Sequence, residues 1–188
     1  GQIRLNNLDI NRLTYQDLRH SIRTVTQEPF LFSDTVESNI AFAIENRPEN
    51  WQEHFPSLLQ QAALQEEVDK FPLQEQTIVG EKGILLSGGQ KQRISLARAM
   101  ATSCDLLILD NVLSAVDYET ERYLLQQIFA RRQAKSLLIV SHRVTAVEKA
   151  DWILVLDEGR IVAQGTHEKL LQQPGYYQEM WALQHETS

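Results

Sequence analysis

The chain has 188 residues, a length that suits one domain with a substantial hydrophobic core. Its formal net charge is −7 and no basic cluster stands out, so we expect no broad surface for nucleic acid or anionic membranes. No apolar run reaches the roughly eighteen residues that a membrane-spanning helix needs. The single cysteine, Cys104, excludes an internal disulfide, and its place before an apolar run predicts a small buried side chain.

In the first half of the chain, strands alternate with helices and then give way to a mostly helical stretch. The predicted elements are a strand at Ile3–Leu5, a helix at Thr14–His20, a strand at Ile22–Val25, and helices at Asp34–Ile40 and Trp51–Phe71. Asp34 with Glu37 is a capping pattern for the first helix of this stretch, and Pro56 is expected in the first turn of the next. The stretch from about Glu28 to Lys82 therefore predicts a helical subdomain.

In the second half, buried strands alternate with helices. The predicted elements are helix formers at Gln90–Met100, a strand at Asp105–Asp110, a helix at Glu119–Arg132, a strand at Ser136–Ser141, a helix at Val144–Ala150, a hairpin of Trp152–Leu156 with Arg160–Ala163, and helices at Thr166–Leu171 and Tyr176–Leu183. This alternation implies a mainly parallel sheet covered on both faces. We therefore predict an α/β core into which the helical subdomain is inserted.

The strongest chemical signal is Leu86-Ser87-Gly88-Gly89-Gln90, at the start of a predicted helix. Two glycines bring bare backbone N–H groups close to an anion, the helix N-terminus adds partial positive charge, and Ser87 adds a hydroxyl donor. Such a start suits a terminal phosphate, although the spacing alone fits a glycine turn before a surface helix equally well. The run and the helix after it resemble, residue for residue, the signature sequence of ATP-binding cassette (ABC) ATPases.

Two further segments resemble the metal-binding parts of that family. Residues 106–110 (LLILD) are similar to a Walker B strand, and an acid such as Asp110 at the end of a buried strand can hold Mg²⁺. Gln27, after the strand at Ile22–Val25, resembles the Q-loop glutamine. The resemblance implies that Gln27 contacts the metal and the attacking water and senses a transmembrane partner.

Two segments resemble the parts of an ABC ATPase that act across its dimer. Residues 113–117 (LSAVD) are similar to the D-loop, which implies that Ser114, Ala115 and Asp117 lie at the interface between two cassettes. Asp117 is also typical of an ordinary helix cap, and both roles can hold together. His142, after a buried strand, resembles the switch histidine, which implies a hydrogen bond to the γ-phosphate.

Two segments favour an exporter over an importer. Residues 77–83 (TIVGEKG) resemble the exporter-specific loop before the signature, and residues 29–32 (PFLF) are also exporter-like. An apolar patch at 29–32 can receive a coupling helix from the membrane domain or can be ordinary core, and the sequence favours neither.

The resemblance runs from Gly1 to about Leu183 and implies a P-loop NTPase-like fold divided into core (1–27), helical subdomain with signature (28–100) and core (101–188). It implies ATP and Mg²⁺ as ligands. The implied partners are a second cassette on a different subunit and the transmembrane domain of the same exporter, without nucleic acid. The implied location is the cytoplasmic face of the plasma (inner) membrane.

One family segment is missing from this sequence. No G-x-x-x-x-G-K-[ST] motif is present, and Gly1 opens directly into a predicted strand. Because no phosphate-binding loop is present, we expect this chain by itself to bind ATP very weakly and to be inactive alone.

Asn111 departs from the family pattern, which has Glu directly after the Walker B Asp. An amide is a hydrogen-bonding group but is hardly basic, and losing a positioned general base costs roughly 10²–10⁴ in rate. The hypothesis is a degenerate half of a heterodimer, whose intact signature completes the competent site of its partner. The alternatives are an impaired homodimer, a non-catalytic module that dimerises on ATP, a soluble ABC ATPase, and a chromosome-maintenance ATPase, against which the short insertion between Gln27 and Ser87 argues.

Overall fold

A computed structural model describes residues 1–81, 83–130 and 134–186. The chain divides into two compact units, residues 1–138 and 139–188. This boundary falls at a different place from the division at 1–27, 28–100 and 101–188, which stays a prediction. Among the described residues, no helix combines the length and apolar character needed to cross a bilayer.

The strands are β1 (Arg4–Leu5), β2 (Leu8–Asp9), β3 (Ile22–Val25), β4 (Cys104–Asp110), β5 (Ala134–Val140), β6 (Ile153–Asp157) and β7 (Arg160–Gly165). The α-helices are α1 (Tyr15–Ser21), α2 (Val36–Ala41), α3 (Trp51–Gln61), α4 (Gln65–Val68), α5 (Gly88–Met100), α6 (Tyr118–Ala130), α7 (His167–Leu171) and α8 (Tyr176–Glu186). Single 3₁₀ turns lie at Ile10–Arg12, Gln74–Gln76 and Val144–Ala146.

The first unit is built on a sheet with the strand order β3-β4-β5. Strands β3 and β4 are parallel, and Val25 lies opposite Leu109 near their carboxyl ends. Both side chains are almost fully buried, at 0% and 1% exposure. The loops after these two strands therefore leave the sheet at the same edge.

Helix α5 lies at the centre of the first unit, because it packs against α2, α3 and β3. Ile94, Leu96 and Ala97 in its middle turns are at most 1% exposed. Apolar burial over several sides is typical of an internal helix rather than a surface one. The position of α5 fixes where its first residues, Ser87 to Gln90, meet solvent.

The second unit has a small core of its own, made of Val144, Ile153, Val155, Leu170 and Tyr177. Strands β6 and β7 form the predicted antiparallel hairpin. Glu158 and Gly159 at its tip have φ of +46° and +74°, the left-handed backbone that tight two-residue hairpin turns require.

The helical stretch differs from the prediction at its start. The residue that caps α2 is Thr35, whose Oγ1 accepts from the Ser38 amide at 3.0 Å. Asp34 instead accepts from the Thr35 amide at 2.7 Å. The prediction of Asp34 as the cap was wrong because the capping side chain belongs directly before the first helical residue, Val36.

The predicted helix Trp51–Phe71 is two helices, because the chain breaks at Ala63, which has φ of +52°. Pro56 lies in the second turn of α3 rather than in its first. The predicted helix Val144–Ala150 is only the 3₁₀ turn Val144–Ala146. Lys82 and Arg132, the ends of two predicted segments, lie outside the described residues.

Cys104 is the first residue of β4 and is only partly buried, so the prediction of a buried thiol was too strong. Burial raises the pKa of this thiol above its ordinary value. A raised pKa keeps the thiol protonated, which is typical of an unreactive cysteine.

Candidate functional site

The start of α5 is a reciprocal cap. Ser87 Oγ accepts from the Gln90 amide at 3.2 Å, and Gln90 Oε1 accepts from the Ser87 amide at 2.8 Å. This capping box fixes both side chains and leaves the Ser87 hydroxyl hydrogen available as a donor. Among the described residues, no hydrogen bond uses the amides of Gly88 and Gly89. The first turn of this thirteen-residue helix therefore carries three donors that no described residue engages: the Ser87 hydroxyl and the amides of Gly88 and Gly89.

The two glycines serve different purposes. Ser87 and Gly88 are exposed, whereas Gly89 is buried. A Cβ at Gly89 would lie 2.8 Å from the carbonyl oxygen of Ala115, so packing requires glycine there. A Cβ at Gly88 would meet only the Ala115 Cβ, at 4.0 Å, so the fold leaves room for a side chain. The open space over Gly88 lets a ligand approach the bare backbone.

The loop after β4 packs against this helix start through Ala115. Ser114 and Ala115 are exposed, and the Ser114 hydroxyl donates to Asn111 O at 2.9 Å. Asp117 caps α6 by accepting from the Thr120 amide at 2.9 Å and the Thr120 hydroxyl at 2.7 Å. These two bonds hold the pKa of Asp117 below its ordinary value. The helix-cap interpretation of Asp117 is therefore confirmed, and its interface role stays a prediction.

Asp110 and Gln27 lie at the same edge of the sheet. Asp110 is the last residue of β4, directly after Leu109, and Gln27 follows Val25, which is the partner of Leu109, by two residues. Both side chains are exposed. The edge thus offers a carboxylate and an amide to solvent, oxygen donors of the kind that Mg²⁺ prefers.

Asn111 has a left-handed backbone, with φ of +50°. Asparagine adopts this conformation more readily than most residues, because its short polar side chain bonds locally. The backbone conformation is therefore one reason for asparagine at position 111. The chemical consequence is that this position supplies no general base.

His142 follows β5 and belongs to the second unit. Its side chain is exposed, while its backbone is held by α8. Gln184 Nε2 donates to His142 O at 3.2 Å, and Gln184 Oε1 accepts from the Val144 amide at 2.8 Å. No sequence signal pointed to Gln184, because it lies 42 residues from His142 in the chain.

The residues before the signature are pinned to the start of α2. Val79 N donates to Asp34 O at 2.9 Å, and Val36 N donates to Thr77 O at 3.1 Å. Val79 is fully buried. A Cβ at Gly83 would collide with the Ile78 carbonyl, so this position also requires glycine.

Three phenylalanines after the Gln27 loop form an exposed cluster, which we call the aromatic patch: Phe30, Phe32 and Phe42. Their exposed fractions are 69%, 37% and 62%. The ring centroids of Phe32 and Phe42 are 4.4 Å apart, and those of Phe30 and Phe32 are 5.0 Å apart. The patch is thus exposed to solvent, which decides against the ordinary-core interpretation of residues 29–32.

Two side chains of α5 that received no role from the sequence hold the segment carrying this patch. Arg98 donates to Phe30 O at 3.1 Å and to Asn39 O at 2.7 Å, and its guanidinium lies 5.8 Å from the Phe42 ring centroid. Gln92 Nε2 donates to Gln27 O at 3.0 Å. These hydrogen bonds join residues 59 to 68 positions apart, a separation that no local pattern reveals.

The comparisons with known proteins agree with this geometry. A family model described as ABC transporter matches residues 1–114. The chain belongs to the ABC transporter family.

Two curated proteins and one solved structure are similar to almost the whole chain. The multidrug resistance-like ATP-binding protein MdlA of Escherichia coli K12 is 40% identical over 98% of this chain and 31% of its own length. The ATP-dependent lipid A-core flippase of Haemophilus ducreyi is 38% identical over the same shares. A bacterial Atm1-family ABC exporter solved with ATP bound superposes with a TM-score of 0.88, 34% identity, 98% coverage of this chain and 32% of its own. The chain spans about a third of the length of these relatives.

The fold is therefore that of an ABC ATPase, a P-loop NTPase-like α/β core with a parallel sheet, as the sequence predicted. The donor sets fit the ligands that this family implies. The open approach to Gly88 beside the Ser87 hydroxyl fits a phosphate oxygen. A single carboxylate at Asp110 fits Mg²⁺, which is held by one or two carboxylates together with substrate phosphates. When bound, the metal neutralises charge that develops on the phosphates.

Proposed function

We propose that this chain is the nucleotide-binding domain of an ABC exporter, and that it couples binding and hydrolysis of Mg-ATP to transport. One observation carries the proposal. Gly88 has room for a side chain and has none, at a helix start where Ser87, with its hydroxyl, and Gly88, whose amide no described residue engages, are both exposed. Packing does not require glycine at this position. We therefore infer that the missing side chain leaves room for an anion at the helix start.

The signature start acts on a nucleotide held by a second cassette. Gly89 packs on the carbonyl of Ala115, so the signature and the 113–117 loop form one continuous surface. Ser87, Gly88, Ser114 and Ala115 are all exposed on it. This arrangement supports head-to-tail pairing, with Ser87 to Gln90 binding the γ-phosphate and Ser114, Ala115 and Asp117 at the interface.

This chain contributes the impaired half of that pair. In its own site, Asp110 and Gln27 would hold the metal, and Asn111 stands where a general base is needed. The resemblance assigns His142, in the second unit, to the γ-phosphate. An amide orients the attacking water but accepts its proton poorly. The partner is therefore a different subunit with its own base, whose site this chain completes.

The aromatic patch receives the transmembrane domain of the exporter. Three clustered aromatic rings on a solvent-exposed surface are typical of a protein-contact site. The patch begins three residues after Gln27, so docking there reaches the metal-binding edge through a short loop. The domain then works at the cytoplasmic face of the plasma membrane, attached through that partner.

A second function is supported by Asn111 alone. If neither site of the assembly hydrolysed ATP, the nucleotide would act only to hold two cassettes together. Single-turnover hydrolysis of γ-labelled ATP in the assembled protein distinguishes the two, since a binding module releases no labelled phosphate.

The test uses the full-length protein that contains this chain, with Asn111→Glu and Asn111→Gln as a matched pair. Both variants have the same length and the same backbone strain, but only Glu supplies a base. In the homodimer, which lacks the competent partner, we expect Asn111→Glu to raise steady-state ATP turnover by up to roughly 10²–10⁴ and Asn111→Gln to leave it unchanged. Brisk turnover by the wild-type homodimer would refute the degenerate-half proposal, and equal turnover by both variants would refute the role assigned to position 111.

A further inference from the structure

Gln92 makes an unusual contact for a buried glutamine. Its side chain lies on α5, one turn beyond Gly88, and the residue is only 4% exposed. Its Nε2 donates at 3.0 Å to the main-chain oxygen of Gln27, 65 residues away. The bond therefore ties the signature helix to the backbone of the residue that we assign to the metal.

The loop that receives this bond has little support of its own. Residues 26–31 belong to no helix or strand, so no helical or sheet hydrogen bonds hold their carbonyls in place. Gln92 holds Gln27 O, and Arg98, on the same helix, holds Phe30 O at 3.1 Å. Within the loop, the Thr26 hydroxyl donates to Glu28 O at 3.1 Å. The position of Gln27 thus depends on α5.

The amide oxygen of Gln92 is evidence that this residue was not selected for stability. Gln92 Oε1 is buried and has no hydrogen-bond partner among residues 1–81, 83–130 and 134–186. A buried polar atom without a partner is unfavourable, whereas an apolar side chain of similar shape would pack there without that penalty. We therefore attribute the presence of glutamine at position 92 to the hydrogen bond that Nε2 donates to Gln27 O.

We propose that Gln92 is a positioning residue of the ATPase reaction, which holds the backbone of Gln27 at a fixed distance from the signature start. The inference rests on the proposed function, because it matters only if Gln27 binds the metal. In a head-to-tail dimer Gln27 serves this chain's own nucleotide and Ser87 serves the partner's. The Gln92 bond therefore connects two nucleotide sites within one chain.

The test compares Gln92→Met with Gln61→Met in the full-length protein. Gln61 on α3 is an internal match, since it is 5% exposed, its Nε2 donates to Ser57 Oγ at 2.6 Å, and its Oε1 likewise has no partner in the part of the chain that the structure describes. Methionine keeps the unbranched shape in both places and removes one amide donor.

The first readout is amide hydrogen exchange over residues 26–31 without nucleotide. We expect Gln92→Met to speed exchange there by roughly three- to tenfold, the factor that corresponds to one ordinary hydrogen bond. Gln61→Met should leave this segment unchanged. Equal exchange in wild type and Gln92→Met would overturn the proposal, whatever the enzyme's activity.

The second readout is the Mg²⁺ concentration for half-maximal ATP turnover, in a double-mutant cycle with Gln27→Ala, measured in the Asn111→Glu homodimer so that turnover reports the site that contains Gln27. We expect Gln92→Met to raise that concentration when Gln27 is present and to have no further effect once Gln27 is Ala, because it acts through Gln27. Additive effects, or the same shift in Gln61→Met, would overturn the proposal. If the wild-type protein does not hydrolyse Mg-ATP in any assembly, the proposed function fails, while the exchange experiment still tests the link.

Discussion

The adjacent glycines of the signature allow a matched test of whether the structure has assigned their roles correctly. Gly88→Ala and Gly89→Ala each add one methyl group to the first turn of α5. The methyl at position 88 enters open space, with Ala115 Cβ at 4.0 Å. The methyl at position 89 meets Ala115 O at 2.8 Å, about 0.6 Å closer than ordinary van der Waals contact. The carbonyl belongs to the backbone, so relief requires the 113–117 loop to shift.

The magnitudes follow from these contacts. Glycine to alanine in a helix stabilises it by roughly 0.5–1 kcal/mol, and this gain is common to both variants. Overpacking costs about 1–3 kcal/mol and applies only to Gly89→Ala. The two variants therefore differ in unfolding free energy by about 1–3 kcal/mol, or very roughly 2–12 °C in thermal midpoint for a domain of this size. Gly88→Ala is expected to be at least as stable as wild type.

The assay is differential scanning fluorimetry of the full-length protein, together with hydrogen exchange over residues 113–117. Exchange there should rise in Gly89→Ala only. ATP turnover with the partner cassette should fall in Gly88→Ala even though its stability does not, because the methyl occupies the approach to the bare amides. Equal midpoints for the two variants would refute the packing argument, and full turnover in Gly88→Ala would refute the phosphate role.

Three further outcomes are expected. Asn111→Glu should lower the thermal midpoint while it raises turnover, since φ of +50° strains a glutamate by about 1–2 kcal/mol, and Asn111→Gly should not lower it. The pKa of Asp117 is lowered in the folded state by its hydrogen bonds from Thr120. The stability that this cap contributes is therefore present above the unfolded-state pKa and is lost as pH falls through the folded-state pKa. Thr120→Val removes the hydroxyl donor, so its acid unfolding should begin at a higher pH than that of wild type. Burial raises the pKa of Tyr177 to about 12. The contribution of this tyrosine to folding stability is therefore fully present below pH about 10, its ordinary pKa, and is lost as the pH rises to about 12. An ultraviolet titration should lose this late phenolate transition in Tyr177→Phe, which also leaves His167 Nδ1 without its 2.8 Å partner.

The parts of the fold that sequence predicted are those decided by neighbours in the chain. The helix predicted from Thr14 begins with a capping box of Thr14 and Asp17 that closes over three residues, and the Glu158-Gly159 turn closes over two, so the residues that decide them stand together. Local patterns fail where two neighbours offer the same chemistry. Asp34 and Thr35 both have oxygens that can cap a helix, and only the first helical residue, Val36, decides between them.

The parts that sequence could not predict depend on packing at a distance. The break between α3 and α4 occurs at Ala63, which adopts φ of +52° in the fold. No glycine or proline at this point in the sequence indicates that the helix ends. Arg93, from α5, donates to the carbonyl of Ala63, 30 residues away. The contact of Gly89 with Ala115 is of the same kind, since the motif shows two glycines and gives no sign that only one is required by packing.

Helix α5 unites these observations in one rigid element. Its first turn exposes Gly88 to solvent, and along its length Gln92, Arg93 and Arg98 each donate to main-chain oxygens of other segments. A helix bound in this way cannot rotate without moving those segments or breaking several partly buried hydrogen bonds. Arg98 also lies over two rings of the aromatic patch, at 5.8 and 5.9 Å from their centroids. A partner that displaced the patch would therefore also displace the start of α5. Under the proposed function, this would couple transport movements to phosphate contact through a single helix.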